Sequence, residues 1–244
     1  MSGSAEVPAI EVNGINVDYG KYRALEDVTF TVQKGTVCAL LGMNGSGKST
    51  LFNAISGALS PTAGSVKILS RTVKQAQKSG LLGYMPQAEA VDWDFPVSVH
   101  DVVMMGRYGA MGPSRRPRSR DKEAVHRSLD RVGLTEFAQR QIGRLSGGQK
   151  KRTFLARALA QNAQVLLLDE PFAGVDRVSA QTMTEVLRDL AHNGITVLIT
   201  VHEIDNIAQW ADEAILLRRR VVYRGEAFDV LKPEKLALAF GGEE

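Results

Sequence analysis

The segment "GMNGSGKST", Gly42 to Thr50, has the residue types and the spacing that bind phosphate groups. It fits the pattern G-x-x-x-x-G-K-[ST] and lies between a short apolar run and an amphipathic helical pattern, which is the context this motif requires. Gly45 and Gly47 allow consecutive backbone N–H groups to surround a phosphate, and the dipole of the following helix adds positive potential. The segment therefore predicts a loop that binds the phosphates of a nucleoside triphosphate.

Two side chains of this loop have distinct predicted roles. Lys48 is expected to neutralise charge on the β- and γ-phosphates, and the hydroxyl of Ser49 is expected to ligate Mg²⁺. The alternative, a glycine-rich turn with an accidental lysine, is disfavoured by the strand before the loop and the helix after it. The predicted nucleotide-binding residues of the segment are Gly42, Asn44, Gly45, Ser46, Gly47, Lys48, Ser49 and Thr50.

Two adjacent carboxylates follow a second apolar run, "VLLLDE". The run places Asp169 at the carboxyl end of a central strand, where ligands collect in open α/β sheets. A carboxylate from a strand that neighbours the phosphate loop is a usual Mg²⁺ ligand. Glu170 is expected to point differently, toward the γ-phosphate, where it could orient a water molecule and accept its proton. The alternative is an acidic pair at a strand end with no role in binding. The presence of the phosphate loop in the same chain disfavours this alternative.

A second candidate anion site is the segment "RLSGGQKKR", Arg144 to Arg152. Ser146 can cap a helix, and the glycines that follow allow backbone N–H groups to approach a ligand closely. The basic run Lys150–Arg152 either reinforces this site or forms a solvated helix face, and the solvated face is the simpler interpretation.

The elements that must position these motifs can be read from hydrophobic periodicity. Two alternating segments, "IEVNGINVDYG" and "DVTFTVQKG", predict an antiparallel sheet at the front of the chain. "TVCALLG", "QVLLLDE" and "ITVLITVHE" are apolar runs typical of strands covered on both faces, and they alternate with helical patterns, which favours a parallel sheet. Residues 88–161 have helical patterns and no convincing strand, so we interpret them as a helical insertion. The end, "AILLRRRVVYRG", resembles a hairpin followed by a short helix.

Composition sets the outer limits of the interpretation. The chain has 244 residues, of which 44% are hydrophobic and 23% charged, and a net charge of +3 that does not by itself call for nucleic acid. Its one cysteine, Cys38, lies in an apolar strand pattern and is expected to be a buried hydrophobe. Neither a signal peptide nor an apolar run of about 20 residues is evident, so work at a membrane would depend on partners.

Taken in order, the phosphate loop, "LSGGQ", the "LLLDE" strand end and a histidine after the next strand resemble the nucleotide-binding domain of ATP-binding-cassette (ABC) proteins. The resemblance covers essentially the whole chain. It implies one domain over residues 1–244, with a P-loop NTPase core of α/β class, a mostly parallel sheet, an N-terminal antiparallel β subdomain and an inserted helical subdomain at about 88–161. It also implies an ATPase that uses ATP and Mg²⁺.

The resemblance assigns further roles residue by residue. Tyr19 would stack on adenine, with Tyr22 as a rival, and Gln87 would contact Mg²⁺ and the attacking water. Asp176 would lie in the loop that couples two sites, and His202 would bond the γ-phosphate and position the water. The signature residues would contact the ATP held by a second, head-to-tail copy of the chain; they are Ser146, Gly147, Gly148 and Gln149.

A free-standing cassette of this kind resembles the subunits of importers that dock on separate membrane chains. The segments around "YMPQAEAVDWDFPVSVHDVVMMGRYG" and "EPFAGVD" are similar to cassettes that energise uptake of manganese, zinc or iron. Siderophore and haem uptake are close alternatives. The implied partners are a second copy, transmembrane permease subunits and, indirectly, an extracytoplasmic metal-binding protein, and the implied location is the cytoplasmic face of the membrane.

Three features bear on the choice between an importer subunit and other kinds of P-loop protein. The basic stretch "SRRPRSR", Ser114 to Arg120, could bind nucleic acid or anionic lipid head groups, but a solvated loop is the simpler interpretation and no nucleic acid partner is expected. A P-loop kinase does not explain "LSGGQ". Trp93, Phe95 and the nearby methionines could form an apolar rim for a helix of a membrane partner, or could pack inside the helical region.

Overall fold

The computed structural model describes residues 7–87, 95–112, 114–201 and 206–241. In chain order the strands are β1 (Ile10–Tyr19), β2 (Tyr22–Val32), β3 (Val37–Leu41), β4 (Ala63–Ile68), β5 (Arg71–Thr72), β6 (Leu82–Met85), β7 (Val165–Asp169), β8 (Thr196–Thr200), β9 (Glu213–Arg218) and β10 (Arg220–Glu226). The α helices are α1 (Lys48–Ser56), α2 (Val73–Lys78), α3 (Val99–Met105), α4 (Ser119–Arg131), α5 (Gly147–Ala160), α6 (Arg177–His192), α7 (Ala227–Val230) and α8 (Pro233–Phe240).

The N-terminal strands form a four-stranded antiparallel sheet in the order β2-β1-β4-β5. Its register pairs Ile10 with Val32, and the side chains that alternate inward along β1 are buried against the core. The predicted antiparallel sheet at the front of the chain is confirmed. The short pair β5 and α2 was not predicted, because α2 is a polar, six-residue helix without a long apolar period.

The central sheet has six strands in the order β10-β9-β3-β8-β7-β6, and all neighbours run parallel except the β9–β10 pair. Every residue of β3, β7 and β8 is buried, which explains why these strands read as continuous apolar runs. The α/β class with a mostly parallel sheet is therefore confirmed. One expectation is wrong: β7, which ends in Asp169, does not neighbour β3, because β8 lies between them.

Helices dominate the middle of the chain. Between Val99 and Ala160 the described residues form α3, α4 and α5, with an isolated bridge from Ser98 to Gln141. The helices are joined by a buried ion pair, in which Arg107 Nε lies 3.1 Å from Asp121 Oδ1, while Arg107 Nη1 donates to the carbonyl of Ala160 at 2.7 Å. Helix α3 begins with a reciprocal cap, in which the Ser98 hydroxyl accepts from the Asp101 N–H and the Asp101 carboxylate accepts from the Ser98 N–H.

The basic stretch Ser114–Arg120 is exposed and leads into α4, as the interpretation of a solvated loop predicts. The Arg118 N–H donates to Asp121 Oδ2 at 3.0 Å and so begins the helix. The predicted C-terminal hairpin is β9–β10, and two short helices follow it. None of the helices in the described ranges is long and apolar enough to cross a membrane.

Cys38 gives a direct test of the central sheet. The thiol lies on β3 with no exposed surface, and burial raises its pKa well above the usual range. Because the thiolate is the reactive form, native protein should not react with DTNB, whereas denatured protein should release one equivalent per chain. Rapid labelling of the native protein would contradict this placement of β3.

Candidate nucleotide-binding site

The phosphate loop connects the end of β3 to the first turn of α1. Gly47 precedes the helix with a φ of 99°, and the Leu51 N–H donates to its carbonyl at 2.8 Å. A Cβ on Gly47 would lie 2.6 Å from Leu25 Cδ2 and 2.8 Å from the Ala24 carbonyl oxygen. Glycine is therefore required both by the left-handed backbone and by the close approach of β2. The loop leads into the N-terminus of α1, where backbone N–H groups can bind an anion.

Lys48 is buried, and its ammonium group is held over the loop. It donates to the carbonyl of Gly42 at 2.7 Å and to that of Met43 at 3.0 Å. Burial lowers the pKa of Lys48, and the negative charges of Glu170 and Asp169 act in the opposite direction. The two predicted carboxylates are therefore close enough to Lys48 to act on its charge, and the fold brings the three side chains into one site.

Ser46 presents a buried hydroxyl oxygen toward the same loop. Within the described ranges this oxygen has no hydrogen-bond partner, although the atom is buried and Ser46 as a whole is only 6% exposed. An unpaired buried hydroxyl is costly in the absence of a ligand that bonds to it. The observation fits the predicted contact between this loop and a phosphate group.

A turn between β9 and β10 braces the loop from the other side. The Arg219 N–H donates to the Ser46 carbonyl at 2.8 Å, and the Arg219 carbonyl accepts from the Glu26 N–H at 2.9 Å. The guanidinium of Arg219 lies over the ring of Tyr22, 5.0 Å from its centroid. Tyr19, which pairs with Tyr22 across the turn between β1 and β2, is 52% exposed.

At the end of β7, Asp169 and Glu170 share a contact with the neighbouring strand. The Thr200 hydroxyl, at the end of β8, donates to Asp169 Oδ1 at 2.5 Å and accepts from the Glu170 N–H at 2.9 Å. Thr200 has 1% of its surface exposed. The sequence offered no signal for this residue beyond its place at a strand end, because its role follows from β8 lying beside β7.

The side chain of Glu170 contacts a residue that follows another strand, β6. Its φ of 50° is in the left-handed region, and its Oε2 accepts from Gln87 Nε2 at 3.1 Å. Two of the predicted catalytic residues are therefore in contact, although they are 83 positions apart in the chain. His202, the third predicted catalytic side chain, lies outside the described residues, as does Trp93.

The signature segment begins α5 as the sequence predicts. The Ser146 hydroxyl accepts from the Gln149 N–H at 3.3 Å, and the Gln149 side chain accepts from the Ser146 N–H at 3.0 Å. Ser146 and Gly147 are exposed, whereas Gly148 is buried. A Cβ on Gly148 would overlap Ser179 Oγ and lie 2.5 Å from Asp176 Oδ2, so glycine lets the starts of α5 and α6 pack together.

Asp176 caps α6 beside this signature segment. Its Oδ1 accepts from the Ser179 N–H at 2.9 Å. This hydrogen bond, helped by the charge of Arg152, lowers the pKa of the Asp176 carboxyl. The side chain is thus an ionised cap, and it lies next to Gly148 of its own chain.

The basic run after the signature is not the solvated face that we expected. Lys151 is 8% exposed, and its ammonium donates to the Glu170 carbonyl at 2.6 Å. Arg152 Nη1 donates to the Val132 carbonyl at 2.8 Å. Lys151 is buried and Arg152 half-buried, because α5 packs between the turn after β7 and the end of α4.

Comparison with known proteins decides the family. The profile of the ABC transporter family matches residues 25–173, a stretch that includes the phosphate loop, the signature segment and the β7 carboxylates. The chain belongs to this family.

Two relatives and one solved structure illustrate the likeness of this ABC protein to others. It is 51% identical to the manganese transport system ATP-binding protein MntA of Synechocystis sp., over 96% of this chain and 90% of that protein. It is 45% identical to the chelated iron transport system membrane protein YfeB of Yersinia pestis, over 96% and 80% of the two chains. A solved inward-facing transporter described as of the metal-chelate type superposes with a TM-score of 0.83 at 30% identity, over 96% of this chain and 89% of that one.

Family membership and geometry agree on the basic chemistry. The ABC fold supplies an ATP-binding site, and the chain is an ATPase. Among the described residues no cluster of three or more histidine, cysteine, aspartate or glutamate side chains could hold a metal ion independently.

Proposed function

We propose that this chain is the ATP-hydrolysing subunit of an ABC importer that takes up a transition metal, namely manganese, zinc or iron. It would work as a head-to-tail dimer around two ATP molecules, on the cytoplasmic face of a membrane, attached to separate permease subunits. Residues 1–244 would form a single nucleotide-binding domain, with residues 88–161 as its helical subdomain. The observation that carries the cargo assignment is the 51% identity to a manganese transport ATP-binding protein over 96% of this chain.

At each ATP site we assign Mg²⁺ to three oxygen donors. These are the Ser49 hydroxyl in the first turn of α1, the amide oxygen of Gln87 and the carboxylate of Asp169. All are hard ligands of the kind that Mg²⁺ prefers, and the bond to Glu170 uses the amide nitrogen of Gln87 and not its oxygen. When bound, Mg²⁺ would neutralise charge on the β- and γ-phosphates.

Hydrolysis then follows from the chain's own groups. Glu170 accepts a proton from water while the water oxygen attacks the γ-phosphorus in line, and the bond to the β-phosphate oxygen breaks to give ADP and phosphate. Lys48 and the N–H groups of the phosphate loop stabilise charge on the phosphoryl oxygens. Gln87 holds the Glu170 carboxylate at 3.1 Å, and His202 remains the predicted contact to the γ-phosphate.

For the adenine ring we favour Tyr19 over Tyr22. The side chains of Tyr19 and Tyr22 are 52% and 48% exposed at the same end of the antiparallel sheet, but the Tyr22 ring is already occupied by the Arg219 guanidinium. An exposed aromatic face suits stacking on a base.

The exposed signature segment supports a dimer. Ser146 and Gly147 present the N-terminus of a 14-residue helix, and within the described ranges it is not covered by another part of the chain. A γ-phosphate held by the loop of a second copy would satisfy this helix end. Asn44 and Asp176 are expected to line the same interface.

The permease is expected to dock at a cleft of about 550 Å³ between α2, the end of α3 and α5. The cleft is lined by Tyr84, Met105, Gly109 and Arg157 among others. Met105, which lines the cleft, is 36% exposed, and two further side chains of the helical region, Phe95 and Tyr108, are 57% and 40% exposed. Exposed apolar side chains of this kind suit contact with an apolar helix of a partner. The cleft also adjoins β6, which leads directly to Gln87.

This docking assignment predicts the effect of one substitution. Met105→Glu should abolish co-purification with the permease because it places a charge at the rim of an apolar contact, while ATP binding by the isolated subunit stays unchanged. Phe228→Glu, an equivalent change at a 75% exposed side chain on α7, is the control and should leave the complex intact. A Met105→Glu complex that assembles and transports normally would contradict the assignment.

The cargo is tested by uptake of radioactive Mn²⁺, Zn²⁺ and Fe²⁺ into cells that lack this chain. Wild-type protein should restore uptake of one or more of these ions, and a Glu170→Gln variant should not. Restored uptake of a siderophore or haem, with no change in free-ion uptake, would replace metal-ion import by the second candidate. That candidate is favoured by the likeness to the chelated iron protein and to the metal-chelate transporter.

A further inference from the structure

The side chain of Lys151 makes a contact that ATP binding alone does not explain. It lies on the second turn of α5, and its ammonium donates at 2.6 Å to the backbone carbonyl of Glu170. Lysine is rarely buried to 8% exposure, because its charge is strongly hydrated, and it must be compensated by hydrogen bonds. Burying the Lys151 ammonium therefore costs hydration free energy, a cost that an exposed lysine on the same helix would not have.

Glu170 is a residue whose backbone needs support. Its φ of 50° places a glutamate in the left-handed region, which crowds its Cβ. The next residue is Pro171, and a proline further restricts the backbone of the residue before it. Such a conformation persists only when surrounding contacts fix it.

Two side chains fix the peptide groups on both sides of the Glu170 Cα. Thr200 accepts from the N–H at 2.9 Å, and Lys151 donates to the carbonyl at 2.6 Å. The Ala173 N–H also donates to this carbonyl, at a longer 3.3 Å, so Lys151 provides the shorter and charge-assisted bond. Because φ and ψ determine the direction of the Cα–Cβ bond, these contacts set the direction of the Glu170 side chain. Gln87 then holds its carboxylate by the bond to Oε2.

We propose that Lys151 is a positioning residue for the reaction, which acts through Glu170 and does not touch the nucleotide. The proposal rests on the proposed function in one respect, namely that Glu170 is the base. Lys151 keeps the Glu170 turn in the conformation that places the carboxylate beside the attacking water. It also ties this turn to α5, the helix that carries the signature segment.

The first test compares Lys151→Met, which keeps the length but loses the donor, with Lys151→Gln, which keeps a donor. The Met variant should lower kcat by ~10²-fold, the size of effect expected for a misplaced catalytic group, while KM for ATP stays unchanged. The Gln variant should recover much of the loss. Lys122→Met, at an exposed position on α4, is the control and should behave as wild type.

Stability is measured by thermal unfolding, and kcat is taken per folded molecule below the melting temperature. If Lys151→Met does not fold, Lys151→Gln carries the test alone, with a kcat below wild type at unchanged KM. A wild-type kcat in the folded Met variant, or a loss that lies wholly in KM, would overturn the proposal.

The second test places Lys151→Met in a Glu170→Gln background. Because Lys151 acts through the Glu170 carboxylate, the double variant should be no slower than Glu170→Gln alone. An equal further loss in that background would show that Lys151 acts independently and would overturn the inference. A Glu170→Gln variant with wild-type turnover would instead overturn the proposed function, so the two failures are distinguishable.

Discussion

Glu170→Gln is expected to bind ATP with unchanged affinity and to hydrolyse it about 10²–10⁴ times more slowly, the range for loss of a general base. The substitution keeps the shape of the side chain, and the Gln87 amide can still donate to the remaining carbonyl oxygen. The Thr200 and Lys151 contacts involve only the backbone of residue 170, so they are retained. The defect should therefore lie in proton transfer and not in the fold of the site.

The measurement is steady-state ATPase activity together with size-exclusion chromatography in the presence of ATP and Mg²⁺. Since hydrolysis is blocked, the variant should elute as a dimer with ATP and as a monomer without it. Glu136→Gln, the same chemical change on an exposed turn, is the control and should retain wild-type activity. Wild-type turnover by Glu170→Gln would remove this residue from the role of base.

Ser146→Arg should abolish turnover and the ATP-dependent dimer while leaving ATP binding to the phosphate loop intact. Ser146 is exposed at the start of α5, so a long cation there blocks approach of a second copy without contact with Lys48. The change also removes a helix cap, which costs about 1 kcal/mol. Thr72→Arg is the matched control, because Thr72 forms the same reciprocal cap with Gln75 on α2.

A mixing experiment tests whether Ser146 acts in trans. Lys48→Ala lacks the phosphate contact, and Ser146→Arg lacks the signature contact, so each homodimer has two defective sites. A head-to-tail heterodimer has one site in which both contacts are intact, and activity should reappear on mixing. If mixing restores nothing, or if Ser146→Arg dimerises in a Glu170→Gln background, the trans assignment fails.

The parts of the site that could be predicted from sequence are those that depend on local chain geometry. The phosphate loop is encoded by its own glycines and by the strand and helix on either side. The Ser146 cap is likewise contained within four residues, and the apolar run before Asp169 is enough to place that carboxylate at a strand end.

The parts that could not be predicted depend on the order in which distant segments pack. Periodicity does not say that β8 separates β3 from β7, and so it gives no role to Thr200. The Lys151 contact requires α5 to pack on the turn after β7, and a basic run in isolation looks like a solvated surface. The left-handed conformation of Glu170 likewise follows from contacts made across the sheet.

The Arg219 turn described above has a consequence for selectivity among nucleotides. The backbone of one residue, Arg219, is bonded through its N–H to Ser46 of the phosphate loop and through its carbonyl to Glu26 of the antiparallel sheet, so the loop and the sheet are held together. With Tyr19 as the proposed adenine contact, the distance between the base contact and the phosphate loop would then be fixed. A nucleoside triphosphate would engage both contacts, whereas pyrophosphate or tripolyphosphate would engage only the phosphate loop.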